Sequence, residues 1–239
     1  MEIVLIPGLW LDGSTWDDVV PVLRQSGHTT HALTLPGMES KEADRSQVTL
    51  RDHIDAVIEL VDSFDSSRAE VVLVGHSKGG AIAYAALDAR PDRIARIVYV
   101  DSWPPVPGGS GIDGLPADGG DVVLPDWSVF DQEDLVDLDD ELRAAFRERA
   151  IPSPVRVVRD SVQLSDERRY DVPATLIACE FTSSTLRGWV AEGELPELAR
   201  IRDVEYIDLP TGHWPQFTRP GDLGRAILAS VSRSASASE

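Results

Sequence analysis

Apolar and polar positions alternate along the chain in blocks that predict strands and helices in turn. Glu2–Pro7 is a short apolar run without helical spacing, the pattern of a strand buried on both faces. Residues 8–14 read as a loop. Trp16, Val19, Val20 and Leu23 then share one helical stripe, with a cap near Ser14 or Thr15 and Gly27 just past the end. His28–Leu35 is rich in β-branched residues and stops at Pro36-Gly37, which predicts a second strand. After a polar stretch over 38–47, Leu50, Ile54, Val57, Ile58 and Val61 mark an amphipathic helix. Glu70–Gly75 is a third strand, running directly into a small-residue helix over Gly79–Ala89 that ends before Pro91. Ile94–Val100, Val172–Cys179 and Val204–Leu209 are a fourth, fifth and sixth strand, and Asp222–Val231 is the last helix. The Ser/Ala-rich segment 232–239 reads as a flexible tail.

Strands alternating with helices imply an α/β fold: a mostly parallel central sheet of six strands with helices on both faces. Residues 102–170 break the alternation. They open with Pro104, Pro105, Pro107 and a Gly/Asp-rich run, and carry one clear helix, Asp140–Ala150. The segment is too long for a plain connection and too polar for a second core, so it reads as a lid. The expected organisation is a core of 1–101 and 171–231, a lid over 102–170, and the tail.

The most informative motif is Gly75-His76-Ser77-Lys78-Gly79-Gly80, placed between a strand and a helix. That context is what a G-x-S-x-G nucleophile elbow requires. A serine held in a strained turn needs glycines where a Cβ would clash, and the helix start directs free N–H groups at developing negative charge. A nucleophilic serine also needs a base. Of the five histidines, His28 and His31 fall in the second strand, His53 on a helix and His76 inside the elbow. His213 lies in the loop after the last strand, where a parallel sheet presents functional groups, and is the expected general base.

These residues resemble the α/β-hydrolase family along nearly the whole chain, from Pro7-Gly8 through the elbow to Gly212-His213-Trp214. The compact length is most similar to the small esterases, lactonases and hydroxynitrile lyases of that family. Where the family usually has His-Gly after the first strand, this chain has Pro7-Gly8. The resemblance implies an oxyanion hole from the backbone N–H groups of Leu9 and Lys78, which that replacement leaves in place. It also implies an acid after the fifth strand, but counting along that loop from Cys179 reaches Thr182, which cannot be anionic. Asp101, at the end of the fourth strand where some family members carry the acid, is favoured; Glu180 is the alternative.

Composition narrows the partners. With 41 Asp+Glu against 22 Lys+Arg the formal net charge is −19, which argues against nucleic acid or an anionic membrane. A single cysteine excludes an intramolecular disulfide, and no metal-ligand cluster or phosphate loop implies a cofactor. No apolar run approaches the roughly 18 residues of a membrane span and no basic leader opens the chain, so a cytoplasmic protein is expected, with a homodimer possible. Trp10, Trp103, Trp127 and Trp214 fall near the expected mouth and suggest an aromatic, largely apolar pocket. Lys78 opposes the helix dipole; its side chain is expected to reach solvent, or, as a sharper hypothesis, to read a substrate carboxylate or phenolate.

The leading expectation is hydrolysis of a carboxylic ester, lactone or thioester of a small, partly apolar substrate through an acyl-enzyme on Ser77. The alternative is lyase, cyclase or cofactor-free acid–base chemistry on the same scaffold. A third reading, a ligand-binding protein without activity, has only Thr182 in its favour.

Overall fold

The computed structural model describes residues 1–65, 70–109 and 114–236. Six strands, β1 (Glu2–Ile6), β2 (Thr29–Ala32), β3 (Val71–His76), β4 (Ile94–Val100), β7 (Ala174–Ala178) and β8 (Val204–Asp208), form one sheet in the order β2-β1-β3-β4-β7-β8. Every pairing in it is parallel. All strands therefore end on the same edge of the sheet, and the loops that carry chemistry share that edge. The central strand β3 has no exposed residue. Each fully buried Val or Leu of this kind contributes about 1.5–3 kcal/mol, so the strand that leads into the elbow is held from both faces.

On one face pack α2 (Leu50–Ser63) and α3 (Lys78–Ala89), burying Leu50, Ile54, Val57, Ile82 and Leu87 against Val4, Ile6, Leu73 and Tyr99. On the other, α1 (Val20–Gln25) and α8 (Pro220–Ser236), which follows the short α7 (Pro215–Thr218), cover Ile3, Leu5, Val72, Val74 and Val98 with Leu23, Leu223 and Ile227. Thr49 caps α2 with a reciprocal capping box to Asp52.

Several boundaries differ from the periodicity. The stripe beginning at Ser14 is split: Gly13–Trp16 is a single 3-10 turn capped by Asp12, and the α-helix begins only at Val20. Pro21 is the reason, because proline has no N–H to donate and fits only the first helical turn. The second strand is four residues long, Thr29–Ala32, and lies at the sheet edge; of the expected arms at His28 and 33–35, Leu33 still donates its N–H to the Leu5 carbonyl (3.0 Å). A helix the periodicity did not mark, α6 (Ser183–Glu192), follows β7. Helix α8 continues past Val231 to Ser236; the flexible-tail expectation for 237–239 lies outside the described residues.

Residues 102–170, inserted between β4 and β7, hold a two-stranded antiparallel ribbon, β5 (Asp121–Val122) with β6 (Ser153–Pro154), and the helices α4 (Asp140–Arg149) and α5 (Val155–Arg159). The insertion has its own apolar cluster, in which Val122, Leu138, Phe146 and Val158 pack on Leu9, Trp10, Leu11 and Trp214. It is thus fastened to the loops at the strand ends. No helix among the described residues is long and apolar enough to cross a membrane.

Backbones approach closely at Gly79 in the first turn of α3. A Cβ there would lie 2.5 Å from the Ile6 carbonyl oxygen and 2.6 Å from that of Pro7. Helix propensity alone would make Gly79→Ala stabilising by about 1 kcal/mol. Backbone carbonyls cannot give way, so the expected outcome is the reverse: a loss of about 3 kcal/mol or more, read as a lower urea midpoint. A raised midpoint would show that α3 has slack against β1.

Candidate active site

The site is assembled at the ends of β3, β4, β7 and β8. The chain leaves β3 and turns at Ser77, whose φ of 52° and ψ of −124° lie in a region that costs a side-chain-bearing residue about 1–3 kcal/mol. The turn is possible because its flanking glycines admit close approach: a Cβ on Gly75 would sit 2.5 Å from the Gly79 carbonyl oxygen. Donation from the Ser77 N–H to the Val100 carbonyl (3.1 Å) ties the turn to β4. Lys78 opens α3, whose first N–H groups have no acceptor within the helix.

Asp101 follows β4, also at positive φ, 46°. Its side chain is fully buried. Oδ1 accepts from the N–H groups of Cys179 (3.0 Å) and Glu180 (3.2 Å) at the end of β7, which leaves Oδ2 directed at the imidazole of His213, 2.7 Å from Nδ1. The opposite nitrogen, Nε2, is 2.9 Å from the Ser77 hydroxyl. Carboxylate, imidazole and hydroxyl therefore form one hydrogen-bonded chain across three loops. The Oε2 of Glu180 is 3.6 Å from the same Nδ1, beyond hydrogen-bond length. Thr182, at the position where the resemblance implied an acid, caps α6 instead, accepting from Thr185 N–H.

His213 is held through its backbone as well. Its N–H donates to the Asp134 carbonyl of the insertion (2.8 Å), and its own carbonyl accepts from Nε2 of His76 (2.7 Å). Burial, and next the charge of His213, keep His76 well below the usual histidine range, so it is the neutral donor that this contact needs. The sequence placed His76 inside the elbow but gave no sign that the histidine loop would rest on it, a contact across 137 residues. Burial opposes charging His213, but the Asp101 and Glu180 carboxylates outweigh it and hold its pKa above the ordinary value. Asp134 is pushed up to about 7 by burial and then by Glu180.

Leu9 and Trp10 follow β1 beside the elbow; a Cβ on the preceding Gly8 would meet Nδ1 of His76 at 2.9 Å and Cβ of Ser77 at 3.0 Å. Trp10 takes positive φ (64°), with its N–H donating to the Ser153 hydroxyl (2.8 Å) and its carbonyl accepting from Ile151 (2.9 Å). The loop holding the Leu9 N–H is thus fixed from the insertion.

A cavity of about 340 Å³ opens beside Ser77, bordered by Lys78, Ser102, Trp103, Glu180 and His213. Of the four tryptophans expected to line it, only Trp103 does. Trp127 and Trp214 stack edge-on with each other and with Phe146, while Trp10 packs on Phe130 and donates its indole N–H to the Val122 carbonyl. Those three side chains serve to fasten the insertion to the core. Trp103, at the cavity, packs with Phe181 and Trp189 behind it, ring centroids 5.6 Å apart in each pairing. Trp189 belongs to the helix that the periodicity missed, so its place here was not readable. Lys78 corrects another expectation: it is 6% exposed rather than solvated.

Asp101, Glu180 and His213 also present ligand atoms within 4.8 Å of one another, as a metal site would. Both oxygens of Asp101 are already committed to N–H donors, and the grouping coincides with the hydrogen-bonded chain.

Known proteins are similar to this chain over part or most of its length. The family model described as the alpha/beta hydrolase family matches residues 3–226. Methylesterase 7 of Arabidopsis thaliana is 25% identical over 95% of this chain and 95% of its own. The carbendazim hydrolyzing esterase of a Nocardioides species is 32% identical over 45% of this chain and 44% of its own. A solved extracellular α/β-hydrolase from a Paenibacillus species superposes with a TM-score of 0.77, at 21% identity, covering 96% of this chain and 98% of that one.

The electrostatics of the site are testable without any substrate. Both carboxylates favour the imidazolium, so the His213 ring should titrate above its ordinary 6.5 and reach the neutral, proton-accepting form only as pH rises through that raised value. Followed by NMR, Asp101→Asn should lower the midpoint by about 1–3 pH units, and Glu180→Gln by less. A midpoint that ignores Asp101→Asn would contradict the pairing.

Proposed function

We infer the activity from two facts taken together: the chain belongs to the alpha/beta hydrolase family, and its Ser77 hydroxyl, His213 imidazole and Asp101 carboxylate stand in one hydrogen-bonded line beside a cavity. It is a hydrolase of the esterase-like kind, as its relatives named as esterases are. The finer reading is hydrolysis of a small carboxylic ester through an acyl-enzyme. The single observation that carries it is the 2.9 Å contact between Nε2 of His213 and the Ser77 hydroxyl, with Asp101 behind.

In this reading His213 takes the Ser77 proton as Oγ attacks the ester carbonyl, and Asp101 stabilises the imidazolium so formed. The N–H groups of Leu9 and Lys78 hold the oxyanion. The imidazolium then protonates the departing alkoxide, and the neutral imidazole activates water to release the acid and restore Ser77. The insertion acts as a lid over the cavity; its support is its contact with His213 and with the Trp10 loop. Small alkyl esters, methyl esters among them, are the substrates we expect, because relatives carry the name methylesterase and the cavity holds about ten water volumes.

The test is turnover of a panel of methyl, ethyl and p-nitrophenyl esters by wild type and single variants, with fluorophosphonate labelling alongside. Ser77→Ala should lose labelling and turnover. Asp101→Asn should lower kcat by about 10³–10⁴-fold, the scale known from other triads, and Glu180→Gln by far less. The reverse ranking would transfer the acid's role to Glu180. Labelling of Ser77 with no ester turnover would replace hydrolysis by acid–base chemistry on the same groups.

A further inference from the structure

Lys78 combines burial, a single hydrogen-bond partner among the described residues and a place at the site. Its ammonium has three protons to donate, and a buried cation is costly unless they find acceptors. One contact is present, to the carbonyl oxygen of Val158 on α5 at 3.3 Å, long for a charged donor. Burial brings its pKa down to about 8; the opposing pull toward the charged form comes from Asp160, which pairs at 3.6 Å with Arg156. Lys78 borders the 340 Å³ cavity. It also borders a narrow gap of about 10 Å³ toward Leu35, Met38 and His53, space for one water at most. A larger partner must come from the cavity side.

The charges around that cavity define what such a partner would be. Asp101 and Glu180 lie at the His213 end, and Lys78 is the only Lys or Arg among the described residues lining it. A chain of net charge −19 repels anions in general, so one admitted here needs a local cation. The lysine follows Ser77 directly, which sets the ammonium within a side chain's length of the proposed oxyanion site. We propose that Lys78 selects substrates carrying a carboxylate a few bonds from the scissile ester, as in the monoester of a dicarboxylic acid. This rests on the esterase reading for its reaction, but the anion site itself does not. The competing role is structural, an ammonium that only ties α3 to α5.

The experiment compares kcat/KM for monomethyl and dimethyl glutarate at pH 7 in wild type, Lys78→Met and Lys78→Arg. The proposal expects the ratio of charged to neutral substrate to fall about tenfold or more in Lys78→Met and to be largely restored in Lys78→Arg. A structural tie would move both substrates together and leave the ratio unchanged, which overturns the proposal. Calorimetry of glutarate binding to Ser77→Ala, with and without Lys78→Met, needs no turnover. Binding weakened about tenfold by the second substitution upholds the anion site even where neither ester is hydrolysed. Equal binding, or none to either variant, removes it. Fluorophosphonate labelling of Ser77 in wild type separates failure of the esterase reading from failure of the site. Lys78→Gln, which keeps a polar side chain, repeats each comparison should Lys78→Met fold poorly.

Discussion

A buried carboxylate is the constraint on which the site turns. Asp101 is removed from water, and an unpaired charge there would cost several kcal/mol. Its partners come from two places in the chain, the N–H groups of Cys179 and Glu180 at the end of β7 and the imidazole of the loop after β8, while Asp101 itself sits on strained main chain leaving β4. Satisfying that one group fixes how the ends of β4, β7 and the histidine loop sit relative to one another. The distance from His213 to Ser77 follows from it. Glu180 shares the neighbourhood: its backbone N–H serves Asp101, while its carboxylate, 3.6 Å from Nδ1, adds to the negative charge facing the imidazole.

Strain collects at the same place. Trp10, Ser77 and Asp101 are the non-glycine residues at positive φ among those described, and they belong to the proposed oxyanion loop, nucleophile turn and acid. A cost of about 1–3 kcal/mol each persists only where the surroundings over-determine the conformation. Here they do: Ser153 and Ile151 clamp Trp10, β4 and the glycines clamp Ser77, and β7 clamps Asp101. The insertion therefore has two mechanical duties, holding Trp10 on one side of the serine and His213 on the other.

How far the sequence can be read follows from which interactions are local. The sheet was legible because each core strand is a short apolar run between turn residues, and β3 is apolar for the simple reason that both faces are covered. Ser77 was legible because its glycines must flank it directly. His213 followed by elimination, and Asp101 from its place at a strand end. What was not legible depends on contacts between distant segments. Periodicity could not tell that Trp214 packs on Phe146 rather than lining the cavity, that Lys78 folds inward under α5, or that His76 carries the histidine loop. Pro21 was a local signal, and it outweighed the stripe it interrupted.

Rapid mixing of the enzyme with a p-nitrophenyl ester, acid quenching within the first turnover and peptide mass spectrometry reach the heart of the account. The expected result is a burst of p-nitrophenol matched by an acyl group on the peptide that contains Ser77, absent from His213→Ala on the same timescale. Steady ester hydrolysis with no acyl group on that serine, or with the group on another residue, would contradict it.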